Sequence, residues 1–341
     1  MKTVILGAGS IGMIAGALMA KNGGDVTLVD ANRDHVAALN AKGARIKGFM
    51  DETIPVRAVT PDKMSGSYDL VLYAVKQTYN EAALTALLPH LHEGSLVATM
   101  QNGVPEPAVA KYVGESRVLG CPVGWGATWL GPGVSELTSE KDKMTISLGA
   151  HGPVPPSAVD AVKMEMSRIC EIEPVENLIG VRWTKLIVNA TMSGMSTVIG
   201  GTFGDVLDNE KALTCVAHIG DEAIRAAAAA GIRLEPMQGH DINILAFKTA
   251  EDMNFRREIY KLLFGPHRNL RASMLQDLDR GVRTEIDAIN GVICETGRSH
   301  GVPTPVNDGV VAVVHDAETG KVRPSVAMLE RFRLPILPSQ A

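Results

Sequence analysis

The sequence predicts an α/β protein with an N-terminal doubly wound parallel sheet followed by an all-helical C-terminal domain, and three observations carry that prediction. A short apolar strand runs straight into Gly7, Gly9 and Gly12. Short apolar runs then alternate with amphipathic stretches through the first half, as a doubly wound sheet requires. From about residue 157 the strand signals stop and the apolar spacing becomes helical. The expected domains are residues 1–175 and 176–341, with the boundary near Glu173 to Gly180, where Pro174 and Gly180 interrupt the pattern.

The glycines make the N-terminal segment specific. In Gly7-Ala8-Gly9-Ser10-Ile11-Gly12 one glycine makes the turn, one lets the backbone close on a pyrophosphate, and one lets the next helix pack on the strand. The anion then sits on the helix N-terminus, where N–H groups and the macrodipole favour it. The context fits, with a helix expected over Ile11 to Ala20 and a second strand over Asp25 to Val29, ending at Asp30, 18 residues beyond Gly12. This is the fingerprint of a Rossmann-type, dinucleotide-binding domain. Asp30 is placed to bind the ribose hydroxyls of NAD and to repel the 2′-phosphate of NADP, whereas Arg33 is placed to pair with that phosphate. The expected cofactor is NADPH or NADH, and on these residues alone Asp30 slightly favours NADH.

Further strands are expected over Ile54 to Val59, Tyr68 to Val75, Ser95 to Met100 and Val118 to Cys121. Two of them end in polar residues, Lys76-Gln77 and Gln101-Asn102-Gly103, at the edge where open α/β sheets bind ligands. Gly131-Pro132-Gly133 is read as punctuating a hairpin between Val123 to Thr128 and Met144 to Leu148. In the second half, Glu222 to Ala230 reads as an alanine-rich helix ended by Gly231. Gly281 to Arg298 carries Ile286, Ile289 and Ile293 at helical spacing.

Composition narrows the function classes. The 341 residues suffice for two domains with cores of their own. A net charge of −5 without a Lys/Arg cluster argues against nucleic acid. No apolar run reaches the roughly 18 residues of a membrane span, and Met1-Lys2 leads directly into the first strand, so a cytoplasmic location without membrane contact is expected. The four cysteines are far apart and form no metal or redox motif; of the nine histidines only His90 and His92 lie close together, in an apparent loop, and no metal is expected. A small metabolite remains as the partner, with a homodimer allowed for.

Two later segments carry candidate chemistry. In Trp183-Thr-Lys185-Leu-Ile-Val-Asn189 the Lys and Asn are four residues apart, on one face of a helix; Trp183 itself reads as packing. In the Gly281 to Arg298 segment Glu285 falls in line with Ile289 and Val292, a carboxylate expected to be at least partly buried.

Taken together these segments resemble the ketopantoate reductase (2-dehydropantoate 2-reductase) family over nearly the whole chain. The resemblance rests on Gly7 to Gly12, Val75-Lys76, Gln101-Asn102-Gly103, Trp183-Thr-Lys185 with Asn189, Ser273-Met-Leu-Gln-Asp277, and Thr284-Glu285-Ile-Asp287 to Asn290-Gly291. It implies NAD(P)H-dependent reduction of a 2-keto acid to a 2-hydroxy acid, with ketopantoate to pantoate as the leading pair, and Lys185 in the place of the proton donor. It also implies a family that more often uses NADPH, against the slight preference for NADH drawn from Asp30. It places Lys76, Asn102 and Glu285 at the cofactor, Asn102 and Glu285 also near substrate, Asn189 and Ser273 at substrate, and Ala127 at a backbone contact to the cofactor. The chemistry agrees, because reduction of a keto carbon leaves negative charge on oxygen and needs a cation and a proton there. Glu285 is suited to accept from a hydroxyl and to keep Lys185 protonated. The chain departs from the family pattern where Ser193-Gly194 replace an asparagine and a proline, and where Phe203 replaces a further asparagine. Ser193 is retained as a substrate position. The competing readings are a related β-hydroxyacid or opine-type dehydrogenase and a non-catalytic NAD(P) sensor.

Overall fold

The computed structural model describes residues 1–237 and 239–337, and the chain divides into two compact units, Met1–Gln101 with Pro105–Leu178 and Asn102–Val104 with Ile179–Ala341. In the first unit β1 (Lys2–Leu6) lies between β2 (Asp25–Val29) and β6 (Tyr68–Tyr73), parallel to both. Alternate residues of β1 serve opposite faces of the sheet. Val4 and Leu6 pack with Val29, Val71 and Tyr73 in one core, and Ile5 packs with Leu28, Leu70 and Leu72 in the other. A strand buried on both faces reads as an unbroken apolar run, and Val4-Ile-Leu6 is one.

The full sheet has eight strands. β5 (Ala58–Val59) lies outside β2, and β7 (Leu91–Thr99), β8 (Val118–Gly120), β11 (Thr145–Ala150) and β12 (Glu171–Pro174) follow β6 in that order. Helices α1 (Ser10–Lys21), α2 (Arg33–Lys42), α3 (Asn80–Leu87), α4 (Glu106–Val113) and α5 (Pro156–Met166) run between strands. The chain leaves β1 toward β2 and later returns to β6 on its other side. Strand order therefore reverses at β1, the position where such sheets open a crevice for ligands.

A second, four-stranded sheet was not expected from the sequence. β3 (Ala44–Gly48) pairs with β4 (Glu52–Ile54) and with β10 (Val134–Leu137), which pairs with β9 (Ala127–Gly131). The hairpin about Pro132 and Gly133 is thus β9–β10, not a pairing of Val123 to Thr128 with Met144 to Leu148. β11 instead joins β8 and β12 in the large sheet, with only an isolated bridge between Val123 and Ile146. The expected strand over Ile54 to Val59 is broken into β4 and β5, with Pro55 between them. β12 also continues the strands past residue 157.

The second unit is helical. α6 (Leu178–Val188), a π turn (Asn189–Ser193) and α7 (Gly194–Ile199) form one continuous run, followed by α8 (Phe203–Asp208), α9 (Glu210–Ala229), α10 (Ala250–Phe264), α11 (Ser273–Asp279), α12 (Asn290–Ser299) and α13 (Pro305–Glu318). α9 packs against α8, α10, α12 and α13, capped at its start by the Asn209 side chain on the Ala212 N–H. Gly231, just past its end, takes a φ of +70°, as expected of a residue that stops a helix.

One polar chain crosses this apolar core. Glu222, on α9 and 1% exposed, accepts the backbone N–H groups of Val306 and Asn307 at 2.9 and 3.0 Å and the Asn307 side-chain amide at 2.7 Å. The carboxylate thereby caps the first turn of α13, where negative charge is favoured. Asn307 Oδ1 accepts from Asn290 Nδ2 at 3.0 Å, and Asn290 Nδ2 also donates to the Ala190 carbonyl at 3.2 Å. Glu222→Ala leaves two buried backbone N–H groups without an acceptor and the Asn307 amide with only the Ile219 carbonyl, at 3.3 Å, and is expected to cost on the order of 3 kcal/mol. Glu222→Gln, which keeps an acceptor oxygen, should cost clearly less; urea unfolding of the two variants checks this.

Candidate active site

The turn after β1 is set by two close approaches. Gly7 has φ +96°, and a Cβ there would lie 2.6 Å from the Val75 nitrogen. A Cβ at Gly12 would collide with the Gly7 carbonyl oxygen. Gly9 differs, since a Cβ there would meet nothing within 4 Å. Gly9 is also the N-cap of α1, and no side chain caps that helix end. Protein packing therefore explains Gly7 and Gly12, while the bare backbone at Gly9, beside Ala8 and ahead of Ser10 and Ile11, faces open space. An uncapped helix N-terminus with room in front of it fits a pyrophosphate.

Neighbouring strand ends add to this edge. The N–H groups of Gly7 and Ala8 both donate to the Val29 carbonyl, at 2.9 and 3.2 Å, so Asp30 follows directly beside the turn. Its Oδ1 accepts the Asn32 N–H at 2.9 Å. Arg33 is 79% exposed and lies 3.9 Å from Asp62. Lys76 stands between β6 and a short 3-10 turn, Gln77–Tyr79. The loop that carries it is held by buried Gln101, whose amide donates to the Val75 carbonyl at 2.6 Å and to Asn80 Oδ1 at 2.8 Å. The structure thus brings the glycine turn, Asp30 and Lys76 to one sheet edge. Ala127 lies on the other sheet, at the start of β9.

In the helical unit the π turn aligns three candidate residues. Four residues of α-helix overshoot a full turn by roughly 40°, whereas the wider π turn falls short of one. The two errors offset each other. Lys185, Asn189 and Ser193 consequently share one side of the run and are half-buried, while Leu186, Ile187, Ala190, Thr191 and Met192 are buried. Burial, reinforced by the positive charge of Arg182, pulls the Lys185 ammonium down to about 7.

Glu285 is buried, 9% exposed, but not on the long helix expected from residue 281. It precedes a single 3-10 turn, Ile286–Ala288, and Ile289, with φ −113° and ψ −92°, breaks the chain before α12 begins at Asn290. Glu285 therefore does not share a helical stripe with Ile289 and Val292. The bond from Asn290 to the Ala190 carbonyl ties this segment to the π turn beside Asn189. Ser273 is exposed at the first turn of α11. Asn102 follows β7 in sequence yet groups with the helical unit, where its neighbour Val104 packs on the core. Phe203 is buried in that core with its ring edge-on to Phe264, at 6.3 Å, so its side chain fills the domain interior. Sequence reasoning assigned no role to Arg182, Asn290 or His35. Two of them left a signal: Asn290 stands in the Asn290-Gly291 segment of the family resemblance, and His35 follows by three residues the Asn that caps α2.

Comparison with known proteins decides the family. Residues 3–151 match "Ketopantoate reductase PanE/ApbA" and residues 177–318 match its C-terminal domain. The chain is 31% identical to a 2-dehydropantoate 2-reductase of Pyrococcus horikoshii, over 94% of this chain and 98% of that one. The chain belongs to the ketopantoate reductase family. Among solved structures, a PanE/ApbA family ketopantoate reductase from Ralstonia eutropha superposes with a TM-score of 0.79 at 27% identity, over 94% of this chain and 99% of that one. A D-mandelate dehydrogenase in complex with NADH gives 0.77 at 25%, with the same coverage. Membership makes the protein an NAD(P)-dependent oxidoreductase of the 2-dehydropantoate 2-reductase type, with NADPH or NADH as cofactor. Among the described residues no helix is long and apolar enough to cross a membrane, and no cluster of metal-binding side chains occurs.

The open side at Gly9 separates ligand effects from packing effects. Gly9→Ala should fold with a wild-type Tm yet bind dinucleotide at least tenfold more weakly. Gly12→Ala should lower the Tm itself, because its Cβ meets backbone. Thermal melts alongside NADH and NADPH titrations check both.

Proposed function

We propose that this protein reduces a 2-keto acid to the corresponding 2-hydroxy acid, with ketopantoate to pantoate as the leading pair and Lys185 as the proton donor. The observation that carries the reading is the shared, half-buried side of the α6–π–α7 run, which presents an amine of lowered pKa beside two neutral hydrogen-bonding side chains. When bound, the nicotinamide dinucleotide supplies the hydride. The Lys185 ammonium then stabilises the charge that develops on the substrate oxygen and gives it a proton. Asn189, Ser193, Ser273 and Asn102 offer hydrogen bonds to the substrate, carboxylate included, and Glu285 accepts from a hydroxyl. The turn at Gly7, Ala8, Gly9, Ser10, Ile11 and Gly12, with Asp30, Arg33, Lys76 and the Ala127 backbone, holds the dinucleotide. Asp30 is oriented by Asn32, whereas Arg33 is exposed, and this supports NADH slightly over NADPH. A kcat/KM preference for NADPH above about tenfold would reject that choice.

The amine's position on the pH scale fixes a direction. Its protonated fraction falls as pH rises through about 7, so kcat/KM for reduction should be level below that pH and fall about tenfold per unit above it. Oxidation of the hydroxy acid, which needs the neutral amine, should rise over the same range. Lys185→Ala should lower kcat by roughly 10² or more while leaving dinucleotide affinity nearly unchanged; turnover above about a third of wild type would overturn the assignment.

A second reading, a bulkier 2-keto acid, is favoured by Ser193 standing in place of an amide and by the likeness to a D-mandelate dehydrogenase. Fewer groups that must be paired by substrate hydroxyls means weaker rejection of acids that lack them. The kcat/KM for ketopantoate should exceed that for 2-ketoisovalerate by less than about 10³. A larger ratio would mean that other side chains read the dihydroxy tail.

A further inference from the structure

His35 is almost fully buried, 2% exposed, in the first turn of α2. The Gly133 N–H donates to its Nδ1 at 2.8 Å, so the ring proton sits on Nε2. That nitrogen faces the Ala8 carbonyl oxygen at 2.7 Å, a group that can only accept. Both ring nitrogens are thus committed to backbone, one in the β9–β10 hairpin and one in the glycine turn. Edge-on packing on the Trp129 ring, at 6.4 Å, adds a third constraint. The Asn32 side chain accepts the His35 N–H at 3.1 Å while the Asn32 N–H donates to Asp30 Oδ1 at 2.9 Å.

The Ala8 carbonyl belongs to the same planar, trans peptide as the Gly9 N–H. In such a peptide the C=O and N–H point in opposite directions. A ring that holds the carbonyl therefore aims the Gly9 N–H away from α2. The same short segment, Asp30 to His35, also fixes the carboxylate beside the turn.

We propose that His35 is a positioning residue for the dinucleotide: by holding the Ala8 carbonyl it sets the Ala8–Gly9 peptide in its phosphate-binding orientation before the cofactor arrives. The proposal rests on the reading of the glycine turn as the dinucleotide site. Preorganisation of this kind acts on affinity, because the ordering of the turn is not left to the binding step.

The test compares wild type with His35→Leu and His35→Gln. Three readings are taken: NADH and NADPH dissociation constants by fluorescence titration, hydrogen–deuterium exchange of residues 7–12 without cofactor, and kcat at saturating cofactor. In His35→Leu the Kd should rise about tenfold, the scale of one lost buried hydrogen bond, exchange in the turn should quicken, and kcat should stay within about twofold. His35→Gln, whose amide can accept from Gly133 and donate to Ala8, should restore most of the affinity and protection. A folded His35→Leu with Kd and turn exchange within twofold of wild type overturns the proposal. So does a weakened His35→Leu whose turn exchanges at the wild-type rate. If His35→Leu does not fold, His35→Gln decides: wild-type protection with wild-type affinity supports the proposal, and a folded protein lacking either overturns it. If wild type itself binds neither dinucleotide, the reading of the glycine turn fails, and the proposal with it.

Discussion

Around the turn from β1 into α1 two positions, Gly7 and Gly12, admit no Cβ, and that steric constraint underlies the first unit. A Cβ at Gly7 would strike the Val75 backbone, and one at Gly12 would strike the Gly7 carbonyl. Further along, Gly16 has the Leu28 side chain within 2.8 Å of where its Cβ would be. α1 can therefore lie directly on the sheet, burying every residue from Gly12 to Met19. Its positive end emerges at the point where strand order reverses. A helix held farther off would leave that end without a fixed relation to Asp30 or Lys76.

The helical unit meets a different requirement, that of keeping polar side chains on one side of a helix over several turns. A regular α-helix would carry Ser193 away from Lys185, and the π turn prevents it. Widening the turn leaves backbone carbonyls to be served. The local sequence does so with hydroxyls: Thr191 donates to the Ile187 and Val188 carbonyls at 3.0 and 2.9 Å, and Thr197 to that of Ser193 at 2.7 Å. Asn290 serves Ala190 from across the core, so that polar chain and the π turn are one structural feature.

Local patterns were legible and remote pairings were not. β1, β2, α1 and the glycine turn follow from residues within about 30 positions of one another, as do the ends of β6 and β7. β3 and β4 pair with each other but carry few apolar residues, and the other neighbour of β3 is β10, some 90 positions away, so the four-stranded sheet is not announced by local patterning. Helical spacing in Gly281 to Arg298 was real but misleading, because Ile286, Ile289 and Ile293 are all buried although Ile289 breaks the backbone. The π turn cannot be read from a search for a 3.6-residue period. The candidate residues stood out because their motifs are shared with a family; Gln101 and Asn290 lie in those motifs too, but they, like His35, act on backbone carbonyls, a role that residue spacing does not reveal.

That division bears on which positions of the run are free to vary. At position 193 the backbone carbonyl, which Thr197 and Ser196 hold, is what the π turn needs from the residue. The side chain there can change from amide to hydroxyl and leave the turn intact. Position 194 is different. A Cβ on Gly194 would lie 2.9 Å from Asn290 Oδ1 and 3.2 Å from its Nδ2, so any larger residue presses on the side chain that links the π turn to Asn307 and Glu222. Variation at 193 changes only the side chain that stands on the same side of the run as Lys185 and Asn189. Variation at 194 must be accompanied by movement of Asn290, and through it of the segment that carries Glu285.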